Sequence, residues 1–200
     1  VANVSHELRT PLTNVRTYAE TLRDAEGDIP QSTANGFLDI IITETDRMTH
    51  IVQDLLTLSR LDRGDAELVL SRFPFAESIQ SVVRSSALNA RQRGHQFTCG
   101  DLSHLPLIVG DRSRLEQVMM NIIGNAIKYT PDGGEIRVLA GCEEDTVWME
   151  VWDNGIGIPE KDRERIFERF YRVDKARSRE SGGTGLGLSI AREIVQRHHG

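Results

Sequence analysis

Several things are missing from this chain of 200 residues, and each absence removes a class of protein. No run of about 18 apolar residues occurs, so nothing in it reads as a membrane-spanning helix. No signal-peptide pattern opens it, and it begins at Val1 without a Met, so it is read as a piece of a longer protein. Cysteine is scarce. Cys99 and Cys142 form no CxxC pair and have no histidine at ligand spacing, so they read as two unpaired thiols of a reducing compartment, not a zinc site or a disulfide framework. Basic excess is missing as well. Lys plus Arg number 24 against 30 Asp plus Glu, a net charge of −6, which argues against a nucleic-acid binder. There is no internal repeat and no low-complexity tract.

What remains is globular composition. Hydrophobic residues make up 38% and charged residues 27%, which suits one large core or two medium ones. Val4, Leu8, Leu12, Val15, Ala19 and Leu22 recur at steps of three and four and predict a helix over 1–23. Gly27 and Pro30 break it, and Ser32 or Thr33 can cap a second helix that carries Phe37, Ile41, Met48, Val52, Leu55 and Leu58 to about Asp62. That stripe has one polar interruption near Glu44. Two helices on a short loop form an antiparallel hairpin, and pairing with a second copy in a four-helix bundle would bury both seams.

Arg63–Ala66 reads as a linker, and Leu68-Val69-Leu70 as a short extended piece. An amphipathic helix follows from Phe75 to about Gly94, then strand segments at Gln96–Cys99 and Leu105–Val109. Asp111 caps a helix to Tyr129. Strands at Ile136–Ala140 and Thr146–Trp152 form a meander, and a last helix runs from Gly187 to His199.

Four constellations carry chemistry. In Ser5-His6-Glu7-Leu8-Arg9-Thr10-Pro11-Leu12, an imidazole near the edge of the apolar seam has a carboxylate beside it and a hydroxyl one turn on. Pro11 removes a backbone donor, which predicts a kink. In the helix 112–129, Arg114, Gln117, Asn121, Asn125 and Lys128 share a polar face. Neutral amide oxygens can ligate a hard cation beside phosphate, and a lysine can meet phosphate as a point charge. An ordinary solvated face would look the same. Asp153-Asn154-Gly155-Ile156-Gly157-Ile158-Pro159 follows a strand, where a carboxylate can accept from a base amine and glycines let backbone approach a ligand. Gly182-Gly183-Thr184-Gly185-Leu186-Gly187-Leu188 opens a helix, a phosphate-binding arrangement that is neither a Walker loop nor a dinucleotide fingerprint. Between the last two lies a basic, aromatic stretch, Phe167–Arg179, in which Arg172 or Arg177 could reach a transferred phosphate.

In order and spacing together, SHELRTPL, NIIGNAIKYTP, DNGIGIP, RIFERFYRVD and GGTGLGL resemble the H, N, G1, F and G2 boxes of bacterial two-component sensor histidine kinases. The sequence FYRVDKARSR followed by GGTGLGL is similar to the WalK/VicK and PhoR-like group within them. The resemblance implies an α+β chain: a dimerisation and phosphotransfer hairpin over 1–63, a linker over 64–72, and over 73–200 a Bergerat-type α/β sandwich, shared with gyrase, Hsp90 and MutL and incomplete at its C-terminal end. A sheet edge is then expected to stand uncovered, with a low melting temperature.

It further implies that His6 accepts phosphate from ATP, with Glu7 as base or orienting partner, and that Thr10 positions a water for dephosphorylating the regulator. Asn125, with Asn121, is implied to hold Mg²⁺. Lys128 would contact phosphate, Tyr129 line the adenine pocket, and Asp153 read the adenine amine. Gly155, Gly157, Gly183, Gly185 and Gly187 would shape the lid, and Arg172 would face the γ-phosphate. Implied partners are a second copy and the receiver domain of a response regulator, and the parent protein would be anchored in the plasma membrane with this part in the cytoplasm. A clamp ATPase of the gyrase or MutL kind would need no SHELRTP hairpin, and an inactive scaffold would not need intact Asn125, Asp153 and glycine boxes.

Overall fold

A computed structural model describes residues 2–25, 27–62, 67–173 and 183–200. The expected linker Arg63–Ala66, and Arg177 and Gly182 of the later motifs, lie outside the described residues.

Two long helices come first, α1 (Ala2–Asp24) and α2 (Gln31–Asp62). They pack along their length, with the Tyr18 and Phe37 rings 5.2 Å apart and Asn14 Nδ2 donating to Glu44 Oε1 at 2.8 Å. Helix α1 runs on through Pro11, which is wholly buried. A proline ring costs the helix one hydrogen bond, and its burial offsets part of that cost. Leu12, Leu38, Ile42, Val52 and Leu56 stay exposed on the hairpin.

The second half is a layered α/β unit. A two-stranded antiparallel sheet pairs β1 (Ser71–Pro74) with β3 (Leu107–Gly110), and a three-stranded sheet has the order β2 (Gln96–Cys99), β4 (Glu135–Glu143), β5 (Thr146–Asp153). The first strand begins at Ser71, after the stretch Leu68–Leu70 where extended structure was expected. Within that stretch the Leu70 amide bonds back to the Leu68 carbonyl at 3.0 Å, which closes a tight turn. Strands β2 and β4 are parallel, while β4 and β5 are antiparallel and joined through Glu144, whose φ is 51°.

Helices α3 (Phe75–Gln92) and α4 (Arg112–Tyr129) lie on one face of this sheet. Phe75, Ile79 and Val82 of α3, Met119, Ile123 and Ala126 of α4, and Ile136, Val138 and Ala140 of β4 form the core. The alternate burial along β4 is the signature of a sheet with one covered face. Asp111 caps α4 by accepting from the Arg114 amide at 3.1 Å, and its other oxygen accepts from the Val69 amide, so one carboxylate fixes both the helix start and the approach to β1.

Helix α5 (Gly187–Arg197) packs on α4 and on the end of α2. Leu58 and Leu61 of α2 join Val118, Leu186, Ile190, Ala191 and Ile194 in a second apolar cluster that ties the hairpin to the sandwich. Among the described residues no helix is long and apolar enough to cross a membrane.

Candidate active site

The first turns of α1 present His6 to solvent. Thr10 Oγ1 donates back to the His6 carbonyl at 3.5 Å, and Pro11 has no N–H to give to the Glu7 carbonyl. Glu7 is turned toward the rest of the molecule. Its Oε2 lies 3.1 Å from Arg172 Nη1 and 3.5 Å from Arg47 Nη2. Arg47 also reaches Glu44 Oε2 at 3.6 Å. The carboxylate expected to serve His6 is thus engaged by two guanidiniums, one from α2 and one from the F-box segment. These side chains are sheltered: exposure is 17% for Glu7, 9% for Arg47 and 5% for Arg172.

Helix α4 supplies the polar face that its sequence promised. Asn121 Nδ2 donates to the Gly187 carbonyl at 2.9 Å, and a Cβ on Gly187 would stand 3.3 Å from Asn121 Cγ, so the glycine permits the close approach of α5. Arg114 and Gln117 bond to each other at 3.1 Å. The Lys128 ammonium lies where a Cβ on Gly183 would stand, 5.0 Å from the centre of the Tyr129 ring. Burial pushes the pKa of that ammonium down, and the charges of Arg172 and Arg47 push the same way, against the opposing pull of Tyr129. Arg93 donates to the carbonyls of Ile127 and Lys128, and His95 Nε2 lies 3.1 Å from Ile127 O, so the last turn of α4 is held by side chains at its negative end.

Asp153 ends β5. Its Oδ1 accepts from the Gly155 amide at 2.9 Å, and the Ile156 amide donates to the Tyr129 carbonyl at 3.2 Å, which draws the G1 loop against the end of α4. A Cβ on Gly155 would fall 2.6 Å from Asp153 Oδ1 and 2.7 Å from Tyr129 O, so no side chain fits there. Gly157 and Gly185 hold φ values of 69° and 72°. Gly185 is paired to the F box, its carbonyl accepting from the Phe170 amide at 2.8 Å.

The structure therefore gathers the expected residues into three neighbouring groups: Glu7 with Arg172, Lys128 and Asn121 with the G2 glycines, and Asp153 with Gly155 and Tyr129. Sequence reasoning passed over Arg47 and Asp54. Asp54 Oδ2 accepts from Thr184 Oγ1 at 3.0 Å, which fastens the G2 loop to α2. The signal for Arg47 was the polar interruption of the α2 stripe at Glu44, one turn before it.

Among the described residues no group of three or more His, Cys, Asp and Glu could hold a metal ion. Neutral amide oxygens can meet a hard cation beside phosphate, and Asn121, whose amide nitrogen donates to Gly187, fits that donor set.

A helical hairpin bearing an exposed histidine is joined to an α/β unit with glycine-lined loops at the end of a polar-faced helix. Residues 1–64 match the His Kinase A (phospho-acceptor) domain, and residues 110–200 match the histidine kinase-, DNA gyrase B-, and HSP90-like ATPase family. The chain belongs to the sensor histidine kinase family and is closely related to WalK-type members. The sensor histidine kinase WalK of Bacillus subtilis is 43% identical over 203 residues, covering 100% of this chain and 33% of that protein. A WalK of Staphylococcus aureus is 38% identical over 205 residues, covering 100% and 48%. This chain thus spans between a third and a half of the length of these curated relatives. The histidine kinase ThkA, solved in complex with the response regulator protein TrrA, superposes with a TM-score of 0.79 at 29% identity, over 100% of this chain and 54% of that one. The nucleotide-free catalytic domain of ThkA alone gives 0.55 at 30% identity, over 64% and 80%. The hairpin and the Bergerat-like sandwich are the architecture of this family.

Proposed function

We propose that this chain phosphorylates its own His6 from ATP, passes the phosphoryl group to an aspartate of a response regulator, and also dephosphorylates that regulator. The observation that carries the proposal is the Glu7–Arg172 ion pair, because it joins the segment around His6 to the F box beside the glycine loops.

In this reading Asp153 takes the adenine amine, Tyr129 lines the base, and Gly155 and Gly157 let backbone close on it. Asn125 and Asn121 hold Mg²⁺, which when bound neutralises phosphate charge. Lys128 and the amides around Gly183, Gly185 and Gly187 meet the phosphates, and Arg172 meets the γ-phosphoryl group. Glu7 leaves the arginines to take the ring proton of His6. Thr10 orients a water when the regulator is dephosphorylated. The division into hairpin (1–63), linker (64–72) and catalytic domain (73–200) follows these roles.

A second copy of the chain is the partner that suits the hairpin, since the exposed Leu12, Leu38, Ile42, Val52 and Leu56 gain burial in a four-helix bundle. The complex of ThkA with a response regulator supports a receiver domain as the other partner. The likeness to WalK supports a parent anchored in the plasma membrane with this part in the cytoplasm.

The test is transfer of ³²P from ATP. Wild-type chain is expected to carry acid-labile, alkali-stable label that His6→Gln loses. Label kept by His6→Gln at the wild-type level would overturn the assignment.

A further inference from the structure

The pair of arginines on Glu7 has a geometry of its own. Arg47 from α2 and Arg172 from the F-box segment converge on a single oxygen, Glu7 Oε2, at 3.5 and 3.1 Å. Planar guanidiniums converging on one anionic centre form the grip that phosphoryl groups receive from arginine. A carboxylate uses that grip only in part, because Arg47 Nε is buried without a hydrogen-bond partner among the described residues. A buried orphan donor is costly, and a tetrahedral dianion brings more acceptor lone pairs than the carboxylate it replaces. A third cation, Lys128, lies close enough for both arginines to depress its affinity for protons.

We propose that Arg47 is a second phosphoryl-gripping residue of this kinase, alongside Arg172: the phosphoryl group moving between ATP and His6 displaces the Glu7 carboxylate from both guanidiniums and takes its place. The proposal rests on the roles given to His6 and Arg172 above. Glu7 is then a stand-in for phosphate while the site is idle, and the arrival of phosphate frees it as a base. The step balances. A bond forms between a ring nitrogen of His6 and phosphorus as the bond from phosphorus to the bridging oxygen of ATP breaks. The electron pair of that bond leaves with ADP, and the ring proton passes to the released Glu7. The same tetrahedral anion is present before and after transfer, so the grip serves the group in transit, the phosphohistidine, or both.

The test compares full chains carrying Arg47→Gln and Arg47→Lys with wild type. Arg47 stands on the hairpin, outside the glycine loops, so affinity for ADP, which lacks the transferred group, is expected to stay within about twofold, which also reports that the sandwich is folded. At saturating ATP the initial rate of His6 labelling is expected to fall about a hundredfold in Arg47→Gln and less in Arg47→Lys, which keeps the charge and loses the fork. That graded fall reports the group in transit. The ³¹P resonance of phospho-His6 is expected to titrate at lower pH in wild type than in Arg47→Gln, because a guanidinium favours the dianion. That shift reports the phosphohistidine, and a merely structural arginine would not produce it. If Arg47→Gln fails to bind ADP, Arg47→Met, which also removes the charge, takes its place in both comparisons. The graded fall or the ³¹P shift supports the proposal. An unmoved ³¹P titration together with a rate that is undiminished, or that falls equally in both variants, overturns it. Absence of His6 label in wild type would instead sink the reading on which it rests.

Discussion

The hairpin meets the sandwich in two places built from opposite materials. At the end of α2 the contact is apolar: Leu58 and Leu61 lie against Leu186, Ile190 and Ile194, all buried. At the start of α1 it is ionic: Glu7 faces Arg172 and Arg47. Apolar burial is non-directional and offers its groups no better partner in water. An ion pair can be exchanged for water or for another anion at modest net cost, because desolvation cancels much of the attraction. The lower contact is suited to keep the two halves together, and the upper one to let go. That division would suit the proposed phosphotransfer, in which the glycine loops move against His6 without parting from the hairpin.

The largest expected effect comes from breaking the apolar contact. Leu58→Ala removes a side chain that is 3% exposed, and truncations of this kind cost about 3 kcal/mol. The loss is expected in denaturant melts, with the same size at low and high salt, and a radius of gyration by X-ray scattering is expected to grow as the halves separate. A change below about 1 kcal/mol, within the range of a surface substitution, would mean that the lower contact does not anchor the hairpin. A smaller effect is expected at Arg169, which makes a bidentate pair with Asp62 at 2.5 and 2.7 Å beside the apolar cluster. Both side chains are close to half exposed, so Arg169→Ala is expected to cost less than about 1 kcal/mol, and the difference is expected to vanish near 0.5 M salt. If that cost persisted in salt, the contrast between the two materials would be too simple.

The sequence carried the apolar side of this architecture better than the ionic side. Helix periodicity located α1, α2, α3 and α4 to within a residue or two, and Asp111 announced the start of α4 as a cap does. Strand β1 at Ser71–Pro74 was not anticipated, because Phe73-Pro74 reads as the approach to a helix and the extended piece was read at Leu68–Leu70 just before it. The glycine motifs themselves were legible: a Cβ on Gly155 would collide with Asp153 and Tyr129, and one on Gly187 would crowd Asn121. The partner of Glu7 was not legible. Contacts between residues 7 and 172, or between 54 and 184, depend on how two domains dock, and no local pattern encodes that. A carboxylate beside a histidine suggests a pair, but side chains one residue apart point about 100° away from each other around a helix.

Asp54 offers the smallest and most discriminating test, because it belongs to both materials. Its carboxylate is partly buried between α2 and the G2 loop, where it accepts from Thr184. Burial raises its pKa above the ordinary 3.8, and the Thr184 hydrogen bond and the charge of His50 offset only part of that. A carboxyl group whose docked pKa is raised favours docking fully below its ordinary value, and that favour is lost as pH rises through the docked value. Asp62 has the opposite sign: the Arg169 hydrogen bond lowers its pKa, so its contribution is present above 3.8 and is lost as pH falls through the docked value. Two carboxylates on one helix thus pull docking in opposite directions on acidification. Asp54→Asn keeps an acceptor for Thr184 and removes the partly buried charge. It is expected to favour docking at neutral pH by less than about 1 kcal/mol and to erase the component that strengthens in acid, while leaving the Asp62 component in place. Energy transfer between labels on α2 and α3, followed from neutral pH down through the carboxylate range, measures both. Weaker docking of Asp54→Asn at neutral pH would show that the ionised carboxylate itself fastens the G2 loop, which would make this part of the seam ionic in function as well as in composition.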